Sequence, residues 1–271
     1  MNIGERNEYF VKFLLVNARD QHISVPGIGA IQSVGFAGNE YEGLPNGYTI
    51  TSLENFTDEE IYHLAGLMRI TKAPHLAKAD VFINGVGYSI KSLQTAPPAL
   101  INHTPRHGFE FAIEHLGENH RHTICITDLD EIIAEYWQLR DAGVIMEDVK
   151  NTNAQSPFRN HFHTLAPILQ YFLFTGSGSK VSDYQAEYIL DIVEPFDMNT
   201  WHIYRQNEEL LEYLWQYLVF SVRSKGMPSN YNGEHPTSAR DRSIAIWTHY
   251  RDNSYKGSLH VRLTRPNNDN E

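Results

Sequence analysis

The chain has 271 residues, 41% of them hydrophobic and 20% charged, which describes an ordinary globular protein with room for a sizeable core and excludes fibrous and disordered classes. Its net charge of -11 at pH 7 argues against a generic nucleic-acid coat, since nonspecific phosphate binding draws on clustered lysine and arginine, but leaves room for local basic patches. The single cysteine, Cys125, excludes an internal disulfide and a cysteine-rich zinc module, and no apolar run approaches a membrane span; a cytoplasmic protein of one domain over 1–271, with no membrane partner, is expected.

From Glu5 to Arg19, Tyr9, Phe10, Phe13, Leu14 and Val16 recur at helical spacing, with acidic residues in the first turn, where the helix dipole favours them. Residues 24–48 hold six glycines and two prolines but no Gly-Lys-Ser/Thr phosphate loop, which predicts an irregular connection. Thr57 and Glu60 form a capping-box signature, and the helix they open runs to about Ile70 before Pro74 stops it. The stretch from Lys78 to Ser92 reads as two strands, Ala79–Ile83 and Val86–Lys91, joined by Asn84-Gly85. That register sets Asp80 opposite Ser89 with Lys91 on the same face, and gives Val81, Ile83, Tyr88 and Ile90 to the core face.

Beyond Lys91, Pro97, Pro98 and Pro105 predict an extended loop that reaches Arg106. Glu110 and Glu114 follow one turn apart on a helix. His122–Thr127 reads as a buried strand, and Asp128 as the cap of a helix through Arg140. The pairs His120/His122 and His161/His163 are possible transition-metal ligands only on a strand, because i, i+2 positions of a helix diverge; surface or core roles are expected. Phe162–Phe174 reads as a central helix ending in a Gly/Ser turn with Lys180. Tyr184–Val193 is a helix or a strand, Trp201–Tyr204 a strand, and Asn207–Val222 an amphipathic helix. The C-terminal third gathers Arg223, Lys225, Arg240 and Arg242, with strands at Ser243–His249 and Ser258–Leu263.

The hairpin resembles the core of the PD-(D/E)XK nucleases, type II restriction endonucleases in particular, in which an aspartate begins one strand and a carboxylate-X-lysine lies in the next. Asp80 matches the first acidic position and Lys91 the lysine, while Ala79 stands where proline is usual and Ser89 where the second carboxylate is. A Ser-X-Lys variant takes its missing carboxylate from the helix that follows, so the resemblance implies Glu110, with Glu114 one turn on. Gly4-Glu5-Arg6-Asn7-Glu8 is similar to the Gly-Glu-X-X-Glu opening of the first helix in many restriction enzymes, which makes Glu8 a second candidate.

The implied fold is α/β, a restriction-endonuclease-like core with a mixed central β-sheet flanked by helices. The implied activity is sequence-specific, Mg²⁺-dependent hydrolysis of double-stranded DNA, with Asp80, Lys91, Glu110 and Ser89 catalytic and Asp80, Glu110 and Glu8 around the metal. DNA-recognition loops are expected in 92–110 and 223–262. Asn102, His103, Thr104 and Arg106 would meet phosphates or base edges, Lys180, Arg223 and Lys225 phosphates, and Arg240 and Arg242 bases. A homodimer follows if the target is palindromic. The alternatives are a nuclease of the same superfamily in repair or junction resolution, or an inactive DNA-binding domain of this fold, which Ser89 favours.

Overall fold

The computed structural model describes residues 1–92, 99–223, 247 and 258–264. In chain order its elements are α1 (Ile3–Asp20), β1 (Ser24–Val25), β2 (Gly29–Ala30), β3 (Val34–Phe36), β4 (Asn39–Glu40), α2 (Asp58–Leu67), β5 (Val81–Ile83), β6 (Val86–Ser92), β7 (Ala99–Thr104), α3 (Arg106–Glu114), α4 (Glu118–Arg121), α5 (Ile126–Asp141), β8 (Val149–Lys150), α6 (Phe162–Gln170), β9 (Tyr188–Ile192), β10 (Trp201–Arg205), α7 (Glu208–Trp215), β11 (Leu218–Arg223) and β12 (Ser258–Leu263). The architecture is α/β, with a mixed central sheet flanked by helices. The chain divides into two compact units, Met1–Ala96 with Ser182–Gln206 and Pro97–Val181 with Asn207–Glu271.

The first unit is built on a six-stranded sheet in the order β10-β9-β6-β5-β3-β4, in which β6 and β9 are parallel and the other pairs antiparallel. Helix α1 begins where Asn2 accepts the Glu5 N–H (2.9 Å), and it buries Val11, Phe13, Leu15 and Val16 in one core with Val81, Leu190 and Ile192. The expected capping box opens α2: Glu60 takes the Thr57 N–H (2.7 Å) and Thr57 takes the Glu60 N–H (3.3 Å). Residues 24–48 are more ordered than expected, because β1 pairs with β2 and β3 with β4, and β3 also joins β5 in the sheet. Phe36 supplies the reason for that last pairing, packing on Phe82 and Tyr184.

Asn84 and Gly85 both lie at positive φ (51° and 81°), as a two-residue turn matched to strand twist demands. The Asn84 side chain also ties the turn to its neighbour, accepting from Gln32 N–H (2.8 Å) and Ser33 N–H (3.2 Å) and donating to the Ala30 carbonyl (3.0 Å). Gly87 is held close to the chain that leads into β9: a Cβ there would stand 2.3 Å from the Gln185 carbonyl oxygen.

The second unit contains an antiparallel sheet, β7-β12-β11-β8, with α3 to α7. Three expectations fail here for local reasons. The loop expected after the prolines forms β7, where Leu100 and Ile101 are buried, so Asn102, His103 and Thr104 belong to a strand. His122–Thr127 is no strand: Asp128 accepts the Cys125 N–H (2.8 Å), so the capping contact lies three residues earlier than expected and α5 opens at Ile126. The helix expected over Asn207–Val222 ends at Trp215, Tyr217 N–H closes a turn on the Leu214 carbonyl (2.9 Å), and Leu218–Val222 is buried on both faces as strand β11. Phe162–Phe174 is helical as expected, its last turn widening to a π-helix over Tyr171–Thr175. Tyr184–Val193 resolves into strand β9. The calls on Lys225, Arg240, Arg242 and the strand Ser243–His249 lie outside the described residues, apart from Trp247, which is helical.

Replacing Asn84 with alanine removes three side-chain bonds and a residue suited to positive φ, and should lower stability by about 1–3 kcal/mol. Urea unfolding midpoints measure this, and Asn84→Asp, which keeps the acceptor oxygen, should recover a large part of the loss.

Candidate active site

The β5–β6 ladder ends at Val81 and Tyr88. One residue earlier, the Asp80 N–H donates to the Tyr88 carbonyl (2.8 Å), and Asp80 Oδ2 accepts the Ile90 N–H (2.7 Å) and the Ser89 hydroxyl (3.3 Å). The carboxylate thus takes over backbone bonding where β5 leaves β6, and it is fixed beside Ser89 as the register predicted. Ser89 is buried and Lys91 half-buried one pleat further on.

Glu8 reaches the same unit from α1. Its Oε1 accepts from Lys12 Nζ (2.6 Å), one helical turn on, and that ammonium, with no exposed surface, also donates to the Thr71 carbonyl (3.2 Å). Asn7 Nδ2 donates to Ser92 Oγ (2.8 Å), pinning this turn of α1 to the end of β6. Burial raises the Glu8 pKa against the opposing charge of Lys12; the negative charge of Asp80 raises it further and Lys91 lowers it. The charges of Asp80 and Lys91 are both felt at Glu8.

Lys78 belongs to the same cluster. Burial first, and then the charge of Lys91, bring its pKa down to about 8, against the pull of Asp80. Across the sheet, Lys91 is in register with Asp191 on β9, and Asp191 with His202 on β10, a row of ammonium, carboxylate and imidazole. Burial raises the Asp191 pKa, and His202 is the strongest opposing charge.

This donor set fits Mg²⁺. Asp80 and Glu8 each commit one oxygen to the protein, and the other oxygen of each accepts no hydrogen bond among the described residues. Magnesium asks for one or two carboxylates and keeps several waters for substrate phosphates to join. Among the described residues no group of three or more His, Cys, Asp or Glu is placed to hold a metal ion, so water and phosphate would complete the shell.

The other expected site residues have different surroundings. Glu110 lies on α3 in the second unit, where Arg106 is ion-paired with it; Glu8 is the candidate glutamate that shares a unit with Asp80 and Lys91. Arg106 also grips Asp130 with two nitrogens (2.9 and 2.8 Å), and Asp130 accepts the Trp247 indole N–H (2.9 Å), so this guanidinium is a fold clamp. Thr104 is buried and paired with Leu259, Asn102 is exposed, and His103 stacks on His260 at 4.3 Å. Lys180 closes a turn in which Ser177 Oγ accepts its N–H (3.1 Å), and Arg223 lies 3.7 Å from Glu147. Of the histidine pairs, His120 lies in α4 with His122 just beyond its end, and His161 caps α6, so neither pair sits on a strand.

No protein family, curated protein or solved structure matches the chain.

Sequence reasoning missed Lys12, Lys78, Asp191 and His202. The first carries a signal, the Glu-to-Lys i, i+4 spacing from Glu8, and Lys78 stands two residues from Asp80. Asp191 and His202 carry none until β9 is known to pair with β6.

Lys12→Met leaves the buried Glu8 carboxylate without its partner and should cost about 3–5 kcal/mol in chemical denaturation, while adding Glu8→Gln should restore much of it. Lys78 loses its proton near pH 8 when folded and near 10.5 when unfolded, so its contribution is fully present above pH 10.5 and is lost as pH falls through 8. Wild-type stability measured against Lys78→Met should therefore rise across that window, by on the order of 2 kcal/mol after a discount for partial exposure.

Proposed function

We propose that the chain is a Mg²⁺-dependent endonuclease that hydrolyses phosphodiester bonds of double-stranded DNA at specific sequences, a type II restriction enzyme with a restriction-endonuclease-like core. The observation that carries the reading is Asp80 bound to the Ser89 hydroxyl and the Ile90 N–H on the strand that bears Lys91, with Glu8 of the same unit within the influence of both charges, at the hairpin that resembles the PD-(D/E)XK motif. Bound Mg²⁺ supplies an acidified water and charge neutralisation on the phosphoryl oxygens.

Asp80 and Glu8 are the residues that would hold the cation. Lys91 orients the attacking water and offsets the charge that builds on the phosphorane, with Asp191 behind it. Ser89, in the position of the usual second carboxylate, keeps Asp80 in place through its hydroxyl. The water's oxygen bonds to phosphorus as the bond to one ester oxygen breaks, the water's proton passing to solvent and the leaving oxygen, which departs with the electron pair, taking one up. The partners are double-stranded DNA and, for a palindromic target, a second copy of the chain, in the cytoplasm.

Plasmid or phage DNA incubated with the protein should give discrete fragments only when Mg²⁺ is present. Asp80→Ala and Lys91→Ala should abolish them, Glu8→Gln should slow cleavage by roughly a hundredfold or more, and Glu110→Gln should cut at the wild-type rate. Intact DNA with folded protein would turn the reading to the inactive DNA-binding domain, and cutting without a fixed sequence to a nuclease of repair or junction resolution.

A further inference from the structure

Tyr41 lies just beyond β4 and is 2% exposed, yet among the described residues its hydroxyl has no hydrogen-bond partner. The backbone on either side of the ring is fixed: the Tyr41 N–H donates to the Val34 carbonyl (2.9 Å), and the Tyr41 carbonyl accepts from Arg19 Nη1 (2.8 Å). The ring itself is packed in the core of the unit, which holds its oxygen away from solvent. A buried hydroxyl without a partner is rare and costly, and packing alone would be served by phenylalanine at this position.

What faces the hydroxyl explains why the oxygen is there. After burial, the charges of Glu8 and Asp80 are the strongest influences on it, and both raise its pKa. Neither carboxylate makes a direct bond to it. Each carboxylate also has one oxygen that accepts no hydrogen bond among the described residues, so this unit holds one donor and two acceptors without protein partners, joined by their mutual electrostatic influence. A water in this neighbourhood would accept from the phenol and find its other partners in the carboxylates, directly or through the cation they would hold, within the two to four partners an ordered interior water requires.

We propose that Tyr41 belongs to the candidate site, its hydroxyl donating a hydrogen bond to the water that Glu8 and Asp80 hold and that attacks the phosphodiester. The inference rests on the proposed nuclease reading and adds a third protein group to the water. With its hydrogen donated to the water oxygen, the phenol fixes the position of the nucleophile; the lone pair that bonds to phosphorus is freed as the water gives a proton to solvent, and the ester oxygen leaves with the electron pair of its broken bond. It also links the phenol to any divalent cation that coordinates that water.

Tyr41→Phe removes one oxygen and leaves the packing intact. The variant should be about as stable as wild type, since no protein group loses a hydrogen bond. Its kcat on DNA should fall by about tenfold to a hundredfold with KM unchanged. Without DNA, the rise in Tm that Mg²⁺ gives the wild-type protein should shrink in Tyr41→Phe and vanish in Asp80→Ala. A Tyr41→Phe variant that matches wild type in both kcat and Mg²⁺ response overturns the inference and leaves the nuclease reading standing; a clear loss of stability overturns it too, by revealing a structural partner. If the wild-type protein cuts no DNA but its Mg²⁺ response depends on Tyr41, the nuclease reading and the attacking role of the water fall, and the place of Tyr41 in the site stands. No cleavage and no Mg²⁺ response overturn both.

Discussion

A lysine ammonium with no exposed surface is among the most costly groups a protein can bury, and Lys12 is one. Its charge is tolerable because Glu8 sits 2.6 Å away and the Thr71 carbonyl 3.2 Å away. Those two contacts fix more than a side chain. They set the rotation of α1 about its axis, hold the segment that leads to β5 against it, and bring a second carboxylate into the field of Asp80 and Lys91. Asn7, one residue before Glu8, adds the bond to Ser92 that locks the same helical turn to the far end of β6.

The resulting cluster balances its signs. Lys12, Glu8, Asp80, Lys91, Lys78 and Asp191 form a set in which each charge is compensated by another, and burial moves Glu8 and Asp191 up and Lys78 down. Burial of this kind strengthens every interaction within the set while making its members easier to neutralise. An overall charge of -11 says little about this neighbourhood, where three of the chain's basic residues meet three of its acidic ones.

How much of this was legible in the sequence follows from the range of the interactions. The hairpin was readable because Asn84-Gly85 and the alternation on either side are local signals, and α1 and the Thr57 cap were readable for the same reason. Glu8 could be singled out from Gly-Glu-X-X-Glu, and Glu110 from its place near the start of the helix that follows the hairpin; that Glu110 pairs with Arg106 on its own helix, while Glu8 shares a unit with Asp80, needed the structure. Where elements were misread, the apolar pattern was sound and its period ambiguous: Leu218–Val222 continues the leucines of α7 in sequence, yet a run buried on both faces suits a strand equally well. The Lys91–Asp191–His202 row was beyond reach, because nothing local announces a parallel partner about 100 residues away.

That separation also shapes how the protein is made. Strands β3 to β6 leave the ribosome together, but β9 is translated only after the whole of Pro97–Val181. At ordinary elongation rates, roughly 5–20 s pass during which β6 is an open edge, its backbone donors and acceptors waiting for a partner. A half-built sheet of this kind invites pairing with other nascent chains. The lysine, serine and glycine that interrupt the apolar pattern of β6, together with the aspartate that caps its ladder, are the residue types that make an edge unattractive to strangers. The polar residues of the candidate site thus have a second task, guarding the unfinished sheet until its own strand arrives.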